Sequence, residues 1–195
     1  MGGGFSMEPD NLLLDRYVLQ HARVAHPTVC FLPTASGDAD SYIVKFYAAF
    51  STLACRPRHL SLFHQPRDLA GFVGECDVIY VGGGNTRNML AIWRSCHLDT
   101  LLRQAWEKGT VLCGLSAGAI CWFEYGHTDS AGSLDPLECL GFLPGSCTPH
   151  ALHFINDQRA HVVTSRPSAR ALHVRSERGT VIEEPLLARF LGSRS

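Results

Sequence analysis

The sequence predicts an α/β fold, a parallel sheet with helices on both faces, followed by a small antiparallel extension at the C-terminal end. Two observations carry this. Through the first 123 residues, short apolar runs of strand length alternate with amphipathic stretches of helical length, the pattern of successive βα units. Two of those runs, residues 77–81 and 110–113, lead directly into glycine-rich turns. In an open parallel sheet such turns leave the carboxyl ends of strands, where ligands bind.

Taken in order, Gly2-Gly3-Gly4 opens the chain as a loop, and Met7-Glu8-Pro9-Asp10-Asn11 reads as a helix start. Leu12, Leu13, Tyr17, Leu19 and Val24 then fall on a broadly amphipathic helix. Residues 27–32 form a buried strand ending in Pro33-Thr34-Ala35-Ser36-Gly37, and residues 42–53 a helix with Ile43, Phe46, Tyr47 and Phe50 at core-facing spacing. The next strand is 58–63, the next helix 67–73, and 77–81 is a fully apolar strand running into Gly82-Gly83-Gly84-Asn85-Thr86. Helices at 87–93 and 98–108 precede the strand 110–113, and the apolar residues 119–123 continue behind its turn as a buried helix should. From Gly126 the texture changes to short segments with Gly and Pro, which read as loops over the site. The strands 160–164, 170–174 and 180–182, joined by turns at Arg166-Pro167 and Glu177-Arg178-Gly179, make the antiparallel extension. With no internal repeat or low-complexity linker, the expectation is one domain over residues 1–195.

Composition narrows the function. Seventeen basic and 18 acidic residues nearly cancel, and no run of five like charges occurs, so neither nucleic acid nor a membrane surface is an expected partner. A small neutral or zwitterionic substrate fits better. Eight cysteines lie mostly inside apolar runs without a C-x-x-C pair, as buried reduced thiols do, and no metal or other cofactor is expected. No apolar stretch has the length of a membrane span and the N-terminus lacks the regions of a signal peptide, so the expected location is the cytoplasm. Met1 to Ser6 formally satisfies a myristoylation pattern, but a Gly-rich loop leading into a helix explains the same residues.

The turn Gly114-Leu115-Ser116-Ala117-Gly118 carries the chemistry. It has the G-x-S-x-G form, in which glycines permit a sharp strand-to-helix bend that presents the serine hydroxyl above the sheet. A serine needs a base to take its proton, and the base needs a third group to orient it. Of the ten histidines, His150 stands out because it follows the rigid Thr148-Pro149 pair in a loop after the turn. His127 and His153 are rivals on spacing. The amide of Ala117 is one natural oxyanion donor, and that of Gly83 or Gly84 a second. A phosphate loop is disfavoured, because the glycines spell neither a Walker nor a dinucleotide-binding pattern.

Taken together, Gly82-Gly83-Gly84-Asn85-Thr86, Gly114 to Ala119, His127-Thr128-Asp129 and the segment from Leu143-Pro144-Gly145 to Pro149-His150 resemble the peptidase E family of serine peptidases, the alpha-aspartyl dipeptidases. Members of that family resemble class I glutamine amidotransferases, a flavodoxin-like three-layer fold, with serine in place of the cysteine at the turn. The resemblance covers nearly the whole chain. It implies Ser116 as nucleophile, His150 as base, and Asp129 as the aspartate after the turn that matters for activity. It further implies metal-independent hydrolysis of dipeptides with an N-terminal aspartate. Asn85, Thr86, Arg87 and Arg166 are the substrate-binding candidates, the two arginines for the acidic side chain.

Two departures stand against the family pattern. Members usually carry a strand before the Gly-rich opening, and its absence would leave a sheet edge that a homodimer can cover. Members also carry a polar segment after the Pro-His pair that supplies the carboxylate behind the histidine, whereas here Ala151-Leu152-His153-Phe154 comes directly after it. Asp129, Asp157, Glu183 or Glu184 would have to stand in. Two other readings remain open on these residues, an esterase of the α/β-hydrolase type and a shortened relative that keeps fold and pocket without turnover.

Overall fold

The computed structural model describes residues 3–64, 66, 68–130, 132, 135–147, 152–155, 158–168, 171–177 and 180–192. Helix α1 (Leu13–Leu19) precedes β1 (Thr28–Leu32), and a 3-10 turn at Thr34–Ser36 leads to α2 (Asp40–Phe50). Next come β2 (Arg56–His59), α3 (Leu69–Gly74), β3 (Val78–Val81), α4 (Thr86–Ser95), α5 (Leu98–Glu107), β4 (Val111–Gly114) and α6 (Ala117–Ile120).

The four strands form one parallel sheet in the order β2-β1-β3-β4. Its two faces are written in the alternation of the strands, since successive side chains point to opposite sides. Cys30, Leu32, Ile79 and Val81 pack on one side with Met89, Leu90, Trp93, Leu98 and Leu102. Val29, Phe31, Val78 and Tyr80 pack on the other with Phe46, Phe50 and Phe5. Phe5, from the Gly-rich opening, meets the rings of Phe31, Tyr42, Phe46, Phe50 and Tyr80 at centroid distances of 5.4 to 5.7 Å. That loop is therefore built into the core.

The strand order reverses at β1, whose successors β2 and β3 lie on opposite sides of it. The crevice at the carboxyl ends of β1 and β3 is the expected ligand site of such a sheet. It is closed at its floor by backbone contact, with the Asn85 N–H donating to the Ala35 carbonyl at 2.7 Å.

Several sequence expectations need correction. The first helix stops at Leu19 instead of reaching Val24, α3 begins at Leu69, and β2 starts at Arg56 and ends at His59, short of Phe63. Helix α6 is a single turn. The apolar run behind it enters a strand at Phe123, because periodicity cannot tell a short apolar helix from a buried strand. The segments read as loops from Gly126 onward are also strands: β5 (Phe123–Thr128), β6 (Asp135–Glu138) and β7 (Leu143–Cys147). Pro144 suggested a loop, but it and Pro136 both lie in the outer strands of the order β6-β5-β7, where a missing N–H is tolerated.

The C-terminal extension consists of β8 (Leu152–Ile155), β9 (Gln158–Thr164), β10 (Ala171–Glu177), β11 (Thr180–Leu186) and β12 (Arg189–Phe190). The pair β10–β11 is antiparallel as expected, β9 instead pairs antiparallel with β8, a strand the sequence reading did not include, and β12 pairs parallel with β9.

Candidate active site

Strand β4 ends in a backbone conformation that few residues adopt. Ser116 has φ 52° and ψ −118°, a left-handed geometry that costs an L-residue on the order of 1–3 kcal/mol. The first turn of α6 holds it in place: the Gly118 N–H donates to the Leu115 carbonyl, and the Ala119 and Ile120 N–H groups to the Ser116 carbonyl. It is also wedged against the end of β3, since a Cβ on Gly114 or Gly118 would meet the Val81 carbonyl oxygen at 2.8 or 2.3 Å. The Ser116 side chain is exposed, and its hydroxyl has no hydrogen-bond partner among the described residues.

The loop after β3 lies alongside. A Cβ on Gly83 would stand 3.2 Å from both Ser116 Cβ and Leu115 Cδ1, so only glycine lets the two turns approach this closely. Its four successive amides have different fates. Gly82 N–H donates to the Leu32 carbonyl, Gly83 N–H to the Tyr42 hydroxyl at 3.1 Å, and Asn85 N–H to Ala35. Gly84 N–H has no acceptor among the described residues, and neither has Ala117 N–H. Gly84 holds φ 141°, and a Cβ there would strike the Ala35 carbonyl oxygen at 2.1 Å. The thiols flanking the elbow, Cys113 and Cys121, are buried and burial pushes both well up, which disfavours either as a nucleophile at this turn.

An exposed serine in a strained strand-to-helix turn beside a triple-glycine loop is a hydrolase arrangement, and comparison with known proteins specifies which one. The model of peptidase family S51 matches residues 1–181. The chain belongs to peptidase family S51. It is 51% identical to the uncharacterized peptidase YgaJ of Bacillus subtilis (strain 168), over 98% of this chain and 96% of that protein. It is 28% identical to peptidase E of Streptomyces coelicolor, over 64% of this chain and 51% of the relative. Among solved structures, a provisional peptidase E from Listeria monocytogenes EGD-e superposes with a TM-score of 0.52 over 65% of this chain and 68% of the other. Their 22% identity speaks for the shared fold, a flavodoxin-like, glutamine amidotransferase-like α/β arrangement.

In this S51 chain the predicted site residues fall in different places. Asn85 caps α4, its side chain accepting from the Asn88 N–H at 2.9 Å and donating to the Ser130 carbonyl at 3.1 Å. Thr86 is buried. Its N–H donates to Ser130 Oγ at 2.9 Å, and its hydroxyl lies 3.4 Å from Thr128 Oγ1, which in turn is 2.7 Å from Ser130 Oγ. Both residues are thus occupied in holding the loop after β5 against the glycine loop. Asp129, exposed, sits between the two residues so clamped. Arg87 is exposed at the first turn of α4. Arg166 is ion-paired to Glu8, which also accepts from Ser165 Oγ at 2.6 Å.

Glu183 and Glu184 are exposed on β11, and Glu184 Oε2 lies 3.6 Å from His173 Nδ1 across the β10–β11 pair. His127 is exposed on β5, and His153 pairs with His161 through the β8–β9 ladder. His150 and Asp157 lie outside the described residues. Among those described, no group of three His, Cys, Asp or Glu side chains is arranged to hold a metal ion, and no helix is long and apolar enough to cross a membrane. Sequence reasoning missed Tyr42, Thr128 and Ser130, whose roles arise from contacts 41 to 45 residues away along the chain.

Proposed function

We propose that this S51 peptidase is a metal-independent serine dipeptidase that hydrolyses small peptides with an N-terminal aspartate. The observation that carries it is the strained Ser116 turn, whose exposed hydroxyl stands beside two amides, Ala117 and Gly84, that lack an acceptor among the described residues. Ser116 Oγ adds to the scissile carbonyl carbon as His150 takes its proton, and the oxyanion is held by those two amides. Collapse expels the amine of the second residue, which receives the proton from His150. Water, deprotonated by the same histidine, then hydrolyses the ester and releases aspartate. Gly83 serves by its lack of a side chain. Arg87, exposed and without an acidic partner among the described residues, is the better candidate for the substrate carboxylate, because Arg166 is already paired with Glu8. A cytoplasmic location fits the free thiols.

The test is steady-state hydrolysis of Asp-X dipeptides by the wild type and Ser116→Ala, with and without chelator. Loss of turnover in the variant and indifference to chelator are expected. Undiminished hydrolysis by Ser116→Ala would overturn the serine mechanism, and chelator loss restored by metal would overturn metal independence.

One observation favours a second reading, the fold kept with turnover reduced. The aligned stretch shared with the Bacillus relative spans 222 positions, more than the 195 residues of this chain, so residues internal to that relative are absent here. The family resemblance implies a further polar segment directly after His150, and its loss there would remove the carboxylate that orients the histidine.

A further inference from the structure

We propose that Tyr42 is a positioning residue for the oxyanion site: by accepting the Gly83 N–H, its hydroxyl fixes the Gly82–Gly83 peptide, and with it the course of the chain into the next amide, Gly84, which has no acceptor among the described residues. The inference rests on the serine-peptidase reading above and adds to it a residue on a different element, α2.

The geometry leaves the tyrosine little freedom. Its ring lies edge-on to Phe31 at 5.0 Å and tilted against Phe5 at 5.7 Å. A Cβ on Gly82 would lie 3.0 Å from Tyr42 Cε1, so the ring packs directly on the loop it bonds. The hydroxyl accepts from Gly83 N–H at 3.1 Å and lies 3.3 Å from Ser6 Oγ. The Tyr42 and Ser6 hydroxyls share this last contact, and Ser6 belongs to the opening loop that the buried Phe5 anchors. Three bonded amides, to Leu32, Tyr42 and Ala35, therefore bracket the unbonded one. Two of their acceptors are main-chain carbonyls of a strand and a tight turn. The third is a side-chain hydroxyl, and it alone can be removed without moving backbone.

An amide worth catalysing with must be aimed before the charge develops. Removing one oxyanion donor costs on the order of a hundredfold or more, and an amide left in place but free to rotate loses part of that. Tyr42→Phe deletes the acceptor and keeps the ring in its aromatic cluster. The expected result is a maximal rate lower by about tenfold or more, with substrate affinity almost unchanged.

The experiment is saturation kinetics of Ser116 labelling by a small fluorophosphonate probe, for wild type, Tyr42→Phe and Ser116→Ala, with thermal melts of each. Amide hydrogen exchange of Gly83 is read by NMR. Support is a Tyr42→Phe protein whose maximal labelling rate falls about tenfold at an unchanged half-saturating concentration, with faster Gly83 exchange and an unchanged melt. A labelled wild type whose maximal rate Tyr42→Phe leaves intact overturns this proposal alone, as does slowing that only accompanies a lowered melting temperature. A wild type that does not label, or a Ser116→Ala protein that does, overturns the serine-peptidase reading and this proposal with it.

Discussion

Gly83 and Ser116 face each other so closely that a methyl group on the first would stand 3.2 Å from the Cβ of the second, tighter than ordinary contact. The proposed nucleophile is therefore seated by a neighbour that has no side chain at all. Gly83→Ala should displace Ser116 by a few tenths of an ångström, with a stability loss of about 1 kcal/mol or less, because Leu115 Cδ1 can yield. Turnover should fall at least tenfold, since small misplacements of a nucleophile are costly. Kinetics beside denaturant melts would decide it, and a fully active Gly83→Ala enzyme would refute the close-approach argument.

The backbone at Ser116 predicts a trade between stability and function. Both Ser116→Ala and Ser116→Gly remove the hydroxyl and should abolish turnover. Only glycine adopts φ 52° at little cost, so Ser116→Gly should be more stable than Ser116→Ala by about 1 kcal/mol. Urea midpoints measured side by side test the strain directly, and an alanine variant of equal or greater stability would show that the turn is relaxed.

Among the candidate acids for orienting the base, Asp129 stands in the loop that Thr128 and Ser130 tie to α4, whereas Glu184 is engaged near His173 on a separate strand pair. Asp129→Asn should therefore lower Asp-X hydrolysis more than Glu183→Gln or Glu184→Gln, by tenfold or more, toward the ~10⁴ seen when a triad acid is lost. Equal rates in all three variants would remove Asp129 from the mechanism.

Asp15 lies fully buried behind the opening loop, with Tyr80 donating to its Oδ1 at 3.0 Å. Burial pushes its carboxyl above the ordinary 3.8, and the Tyr80 hydroxyl and Phe5 amide only partly oppose this. A group raised in the folded state contributes its full stability below the unfolded value and loses it as pH climbs through the folded one. The wild type should thus lose stability relative to Asp15→Asn from about pH 4 upward. Denaturant curves at acidic and neutral pH would show this as converging or crossing midpoints, and parallel pH profiles would contradict it.

The sheet was legible where chemistry is local. β3 and β4 are short apolar runs closed by glycine, and their length and glycine punctuation favour strands over helices. The Ser116 turn was legible for the same reason, since its two glycines and serine lie within five residues. What escaped was set by partners distant in sequence. Nothing near Tyr42 announces that its hydroxyl meets Gly83, and nothing in Thr86 shows that Ser130 will bury it. β5 to β7 escaped because Gly126, Pro136 and Pro144 are breakers by propensity, and only their place beside or within a small sheet reconciles them with strands.

The elbow glycines share one obstacle, the carbonyl oxygen of Val81. A Cβ on Gly114 would also meet the Gly118 carbonyl oxygen at 2.3 Å, so both positions strain the same stretch of backbone and their substitutions should fail to add. Ser116 has no part in that fit. Its hydroxyl can be exchanged for a thiol or a hydrogen without disturbing the socket, so over evolutionary time the reactive atom is free to change while the glycines that seat it are not.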